Sequence, residues 1–153
     1  MKKETSRDYA TAAFARWAID GRPSHEMLRD ELLQFMATRS SGPIVMNVIH
    51  APGRPTEASI LSADKEEGRR RGYFLDMQTV DRVVHVLEGL DYALFLERVY
   101  FAEPNTVFER GEISRRVVAA SMQAGISERT VYQRLREARD LFCIMRGITF
   151  GYF

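Results

Sequence analysis

Residues 119–142 read AASMQAGISERTVYQRLREARDLF. A stretch with helical spacing breaks at Gly125-Ile126-Ser127, and an arginine-rich helix restarts at once. Each residue of the break has a physical task. Gly125 tolerates positive φ at no steric cost. Ile126 is apolar and plugs the angle between two helices. Ser127 offers its hydroxyl to the amides of Arg129 or Thr130 as an N-cap. Beyond it, Val131, Leu135, Ala138, Leu141, Phe142 and Met145 recur at three- and four-residue spacing, the inner stripe of a helix. A different set faces away: Glu128, Arg129, Thr130, Gln133, Arg134 and Glu137. These side-chain types bond to base edges or phosphates, Arg to guanine, Gln to adenine, Glu to cytosine and Thr to either. A short turn that props one helix outward on another is what a helix-turn-helix requires. The bland alternative is a surface helix of an all-α protein whose arginines are simply solvated.

Charge supports the first reading weakly. The whole chain carries 22 Lys and Arg against 21 Asp and Glu, a net charge of +1. From Glu112 onward, seven arginines face Glu112, Glu128, Glu137 and Asp140, which leaves that part at +3 and the remainder at −2. A basic segment on an otherwise acidic chain is the electrostatic footprint expected of a nucleic-acid face.

The rest of the chain reads as helices. Ala10, Ala13, Phe14, Trp17 and Ala18 form one stripe, ended by Gly21 and Pro23. Ser24 caps a second helix whose stripe is Leu28, Leu32, Phe35 and Met36. A turn this short predicts an antiparallel hairpin over residues 1–40, closed by Arg39-Ser40-Ser41-Gly42-Pro43. Residues 41–72 read as a flexible or irregular connection. Ile44–His50 has strand-like residues, but no second strand follows, and a lone strand is unstable. The run Arg69-Arg70-Arg71 then falls in a charged helix end and turn, solvated unless it touches phosphate. Asp76 and Asp91 are expected to cap two further helices, the first ending near Gly89 and the second stopping before Pro104. Residues 73–153 thus make a four-helix domain ending in the helix-turn-helix, and the fold class is all-α.

The recognition-helix stretch GISERTVYQRLREARDLF is similar to the sigma-70 region 4 signature GIS-x-x-TV-x-x-RL-x-x-AR. The preceding VDRVVHVLEGLDYALFLERVYF resembles the helix pair that comes before it there. The likeness spans about residues 76–146. With a short helical segment ahead of it, the chain looks like the small phage-type regulators of late transcription (the ArpU, RinA and antiterminator Q groups). The resemblance implies sequence-specific binding to double-stranded DNA in transcription control, in a bacterial or prophage context, with RNA polymerase as a further partner. It places Ser127, Glu128, Arg129, Thr130, Gln133 and Arg134 at the DNA and makes Gly125, Val131 and Leu135 structural. Two departures stand out: Ala124 replaces the usual leucine before the glycine, and residues 102–112 are longer than the family's connection. Arg115, Arg116, Arg136 and Arg139 complete the expected set as phosphate anchors. Since helix-turn-helix proteins often pair across two-fold sites, a homodimer is the companion expectation.

Other chemistry finds little footing. His25, His50 and His85 are dispersed and lack metal-ligand spacing with Cys143. There is no Gly-rich phosphate loop, nucleophile elbow or convincing carboxylate pair. The expectation is a protein without enzymatic activity, metal or cofactor. The single Cys143 cannot form an internal disulfide, no run approaches a membrane span, and the N-terminus lacks a signal-peptide core, so a cytoplasmic location is expected. The aromatic tail, Phe150, Tyr152 and Phe153, folds back on the core or meets a second copy. Two rivals remain: a helical interaction module whose arginine face meets an acidic protein surface, and a nucleic-acid enzyme fragment.

Overall fold

Glycine and proline punctuation divides the chain into the helices of a computed structural model. It describes residues 6–50, 57–104 and 108–148, with side chains for 7–38, 63–104 and 108–148. The helices are α1 (Ser6–Ile19), α2 (His25–His50), α3 (Glu57–Leu87), α4 (Asp91–Leu96), α5 (Glu112–Ala124) and α6 (Glu128–Arg146). A π-helical segment, Glu97–Phe101, continues α4. Among the described residues there is no strand, so the fold is all-α. None of the helices is long and apolar enough to cross a membrane, among the residues described.

The helix ends follow local chemistry. α1 stops in a Schellman turn: the Arg22 amide donates to Trp17 O at 2.9 Å and the Gly21 amide to Ala18 O at 3.3 Å, with Gly21 at φ 87°. Ser24 Oγ accepts from the Met27 amide at 3.3 Å, and Asp81 Oδ2 accepts from the His25 amide at 2.7 Å. Two groups therefore satisfy the first orphan amides of α2. Ile148 N–H to Cys143 O at 2.9 Å closes α6 in the same manner as α1.

The packing differs from the sequence expectation in three places. The helix that pairs with α2 is α3, whereas α1 lies against α3, the π-helical segment and α6. The expected N-terminal hairpin of residues 1–40 is therefore replaced by an α2–α3 hairpin. The cause is aromatic. Phe14 stacks on Tyr100 with ring centroids 5.6 Å apart and also meets Phe142 at 5.7 Å, while Trp17 meets Phe101 at 4.9 Å. Tyr100 and Phe101 project from the π-helical segment and Phe142 from α6, so one core joins both ends of the chain. Helical spacing shows that Phe14 and Trp17 face inward but not which distant rings they meet.

The second difference is the expected connection at 41–72. Helix α2 continues to His50, α3 begins at Glu57, and 51–56 lies outside the described residues. Asp64–Gly72, expected as a helix end and turn, sits inside α3. Its charges explain why two glycines do not break it: Glu66 pairs with Arg69 and Arg70, and Glu67 with Arg71, at three- and four-residue spacing. Arg70 also covers the Phe35 ring of α2 at 4.5 Å.

The third concerns the expected caps. Asp76 is interior to α3, where its carboxylate accepts from Tyr9 Oη at 2.7 Å and from Arg146 Nε at 2.7 Å. This clamp ties α1, α3 and α6 together. Asp91 is the first residue of α4; Leu90 holds the N-cap position and makes no side-chain cap bond. The aromatic residues of the C-terminal tail lie outside the described residues.

Candidate nucleic-acid interface

The break between α5 and α6 has the local geometry that its residues imply. Gly125 sits at φ 69°, ψ 29°, and the amides of Gly125 and Ile126 donate to Ser121 O at 2.9 and 3.2 Å. Ile126 is half-buried and packed against the core. Ser127 is extended, and its Oγ accepts from the Thr130 amide at 3.2 Å; the two hydroxyls lie 2.9 Å apart. Val131, Leu135, Ala138 and Phe142 are all but completely buried. The α6 stripe therefore seats on α5, α3, α4 and α1 and fixes which side of the helix faces out.

That outward side carries Glu128, Arg129, Tyr132, Gln133 and Arg136, all exposed. Arg129, Tyr132, Gln133 and Arg136 follow i, i+3, i+4, i+7 spacing and so share one face. Neither Arg129 nor Arg136 makes an ion pair among the described residues. Tyr132, which base-edge chemistry alone overlooks, stands beside Gln133; its Oη donates to Ser114 Oγ of α5 at 3.4 Å. Helical spacing from Arg129 was the signal that could have found it. Arg115 of α5 is exposed and paired with Glu112. Val118 and Met122 follow Ser114 at four-residue steps along α5, and Met122 is 77% exposed.

The other expected arginines face a different way. Arg116, expected to anchor phosphate, is turned into the protein with its side chain 9% exposed. Its Nη1 donates to Val99 O at 3.1 Å and Ala102 O at 2.5 Å, its Nε lies 3.1 Å from Glu112, and its guanidinium covers the Phe108 ring at 5.0 Å. These bonds satisfy carbonyls left open where the π-helical segment ends, so Arg116 is a clamp between that segment and α5. Glu112 is held below the usual carboxylate range, first by its hydrogen bond from Arg116.

Arg134, expected at the DNA, is half-buried. It donates to Tyr92 Oη at 3.0 Å, lies 3.7 Å from both Asp91 and Glu137, and covers the Tyr92 ring at 4.8 Å. The Tyr92 hydroxyl in turn donates to Glu137, and that bond raises its pKa. Arg139 is half-buried and donates to Tyr100 Oη at 2.6 Å, which anchors α6 to the π-helical segment. Thr130 is half-buried with its hydroxyl beside Ser127. Of the expected set, then, Ser127, Glu128, Arg129, Gln133, Arg136 and Arg115 are exposed. Arg116, Arg134 and Arg139 are committed to internal bonds, and Gly125, Ile126, Val131 and Leu135 build the turn and its core.

Among the described residues, no group of three or more His, Cys, Asp or Glu could hold a metal ion. No known family, curated protein or solved structure matches the chain.

Proposed function

We propose that this protein binds double-stranded DNA sequence-specifically and regulates transcription, with α6 as the helix that enters the major groove. The observation that carries the reading is the exposed face of Arg129, Tyr132, Gln133 and Arg136, raised on a glycine turn and free of ion pairs among the described residues. Arg129 and Gln133 offer bidentate contacts to base edges, and Arg136 and Arg115 offer charge to phosphates. Tyr132 supplies a hydroxyl and an apolar ring between them. The resemblance to sigma-70 region 4 supports the same assignment and extends it to a bacterial or prophage regulator, cytoplasmic, with no catalytic step of its own.

Selection of bound sequences from a random duplex pool, followed by gel shifts at two salt concentrations, tests the proposal. A recurring site whose affinity falls steeply with salt is the expected result. Retention of no sequence above background, with no salt-sensitive shift, would reject it.

A second reading has its own observation. Val118 and Met122 form an exposed apolar stripe on α5, beside Tyr132, and a protein partner such as RNA polymerase would cover it. That reading predicts pull-down of a partner that Met122→Lys abolishes while duplex binding is unaffected.

A further inference from the structure

A cleft of about 450 Å³ lies where the start of α2 meets the last turns of α3 and the end of α6. Its volume is within the ~300–1,000 Å³ range of small-molecule sites. Val86 and Met145 give it an apolar wall, 57% and 40% exposed respectively. Ser24, His25, Arg82 and His85 supply polar groups around that wall.

Two of these polar groups are short of acceptors. Arg82 is exposed and makes no ion pair among the described residues; its Nη2 lies 3.3 Å from His25 Nε2. A guanidinium only donates, so Nε2 accepts and the ring proton sits on Nδ1. That Nδ1 is buried without a partner among the described residues. A cation resting on a neutral ring is a weak arrangement, since arginine bonds far more strongly to a carboxylate, in bidentate fashion. Arg82 contrasts with Arg16, Arg22, Arg115 and Arg146, each of which has a carboxylate at hand.

The acidic residues of the cleft do not fill that role. Asp81 is engaged with the first amide of α2, where the helix end offsets its charge. Glu26 is exposed and makes no ion pair among the described residues. His85 is turned to Glu88, with Nδ1 3.4 Å from its carboxylate.

We propose that this cleft binds a small amphipathic carboxylate, its charged end on Arg82 and Ser24 and its apolar body between Val86 and Met145. The proposal is independent of the DNA reading, because none of its residues lies on the outward face of α6. An aromatic carboxylate of one ring fits the volume and both ends of the chemistry.

The test uses the full chain and two probes of like size and opposite charge, benzoate and benzylamine, followed through the His85 ring and Met145 methyl resonances. Benzoate is expected to shift both saturably and to bind more tightly than benzylamine. Arg82→Gln, a surface change, is expected to weaken benzoate by about tenfold, the equivalent of one charge-assisted bond. Val86→Glu, which places a negative charge at the mouth, is expected to abolish it. The proposal is overturned if benzoate gives no saturable shift at these resonances, if benzylamine binds as tightly, or if Arg82→Gln binds benzoate unchanged.

Discussion

Two groups of arginines on the α5–α6 pair have the same chemistry and opposite fates. Arg129 and Arg136 stand on the outward side of α6 with no ion pair among the described residues. Arg116, Arg134 and Arg139 turn inward and hold the helices to the π-helical segment and α4. The first group is free to meet an external anion; the second already spends its donors on carbonyls, tyrosine hydroxyls and carboxylates. A charge count over this segment cannot separate them. Whether an arginine serves a partner or the fold depends on which acceptors the tertiary structure brings within about 3 Å.

Arg116→Ala probes the inward group and carries the largest expected effect. It strands the Val99 and Ala102 carbonyls and leaves Glu112 with Arg115 alone, so a loss of about 2–3 kcal/mol of stability follows. Urea unfolding checks this. A change below about 0.5 kcal/mol, the level of an ordinary surface substitution, would place Arg116 with the outward group after all.

Arg129→Ala is the reverse experiment. It should leave the unfolding midpoint unaltered and cost about 1–3 kcal/mol of binding, with relaxed preference at one base position. Titrations against the selected site and single-base variants of it measure both quantities. Uniform weakening across all sequences would reassign Arg129 to the phosphates, and no weakening would remove it from the interface.

The α5–α6 turn is legible in the sequence because its determinants are local. The positive φ at Gly125, the Ser127 cap and the Val131–Leu135–Ala138–Phe142 stripe each depend on neighbours within a few residues, and all are present. What was not legible is long-range. Nothing local announces that Phe14 will stack on Tyr100, or that Tyr9, Asp76 and Arg146 will meet from three helices. The same gap hides α2's partner, makes Asp76 read as a cap and conceals the internal bonds of Arg116, Arg134 and Arg139. Residues 64–72 depart from expectation for another reason: glycine and a charge run suggest a turn, while Glu66 and Glu67 pair with the arginines along a continuous helix.

Alkaline pH separates the internal clamps from the outward face without mutation. Burial, with help from Asp76, pushes the Tyr9 phenol from 10.0 up to about 12; burial, with help from Asp20, does the same for Tyr73. A raised pKa means that the folded state holds the proton more tightly. The stabilisation is complete below pH 10.0 and is lost as pH climbs toward about 12. The unfolding midpoint should therefore fall across that window, and the fall should be shallower in Tyr9→Phe with Tyr73→Phe. An identical slope in the double variant would show that other groups control the alkaline limb.

The smallest expected effect belongs to Arg136, and it sharpens the comparison within the outward face itself. Under the proposed reading Arg136, two helical turns from Arg129 along α6, contacts a phosphate rather than a base edge. Arg136→Ala should weaken every duplex alike and lower the slope of log affinity against log salt by about one, the signature of a single lost phosphate contact. Gel shifts of selected and scrambled duplexes across a salt series read that slope directly. Because its side chain is exposed and makes no ion pair among the described residues, stability should not change, in contrast to Arg116 twenty residues earlier. An unchanged slope, or a loss confined to the selected site, would mean that the outward arginines do not divide into base-reading and phosphate-anchoring positions.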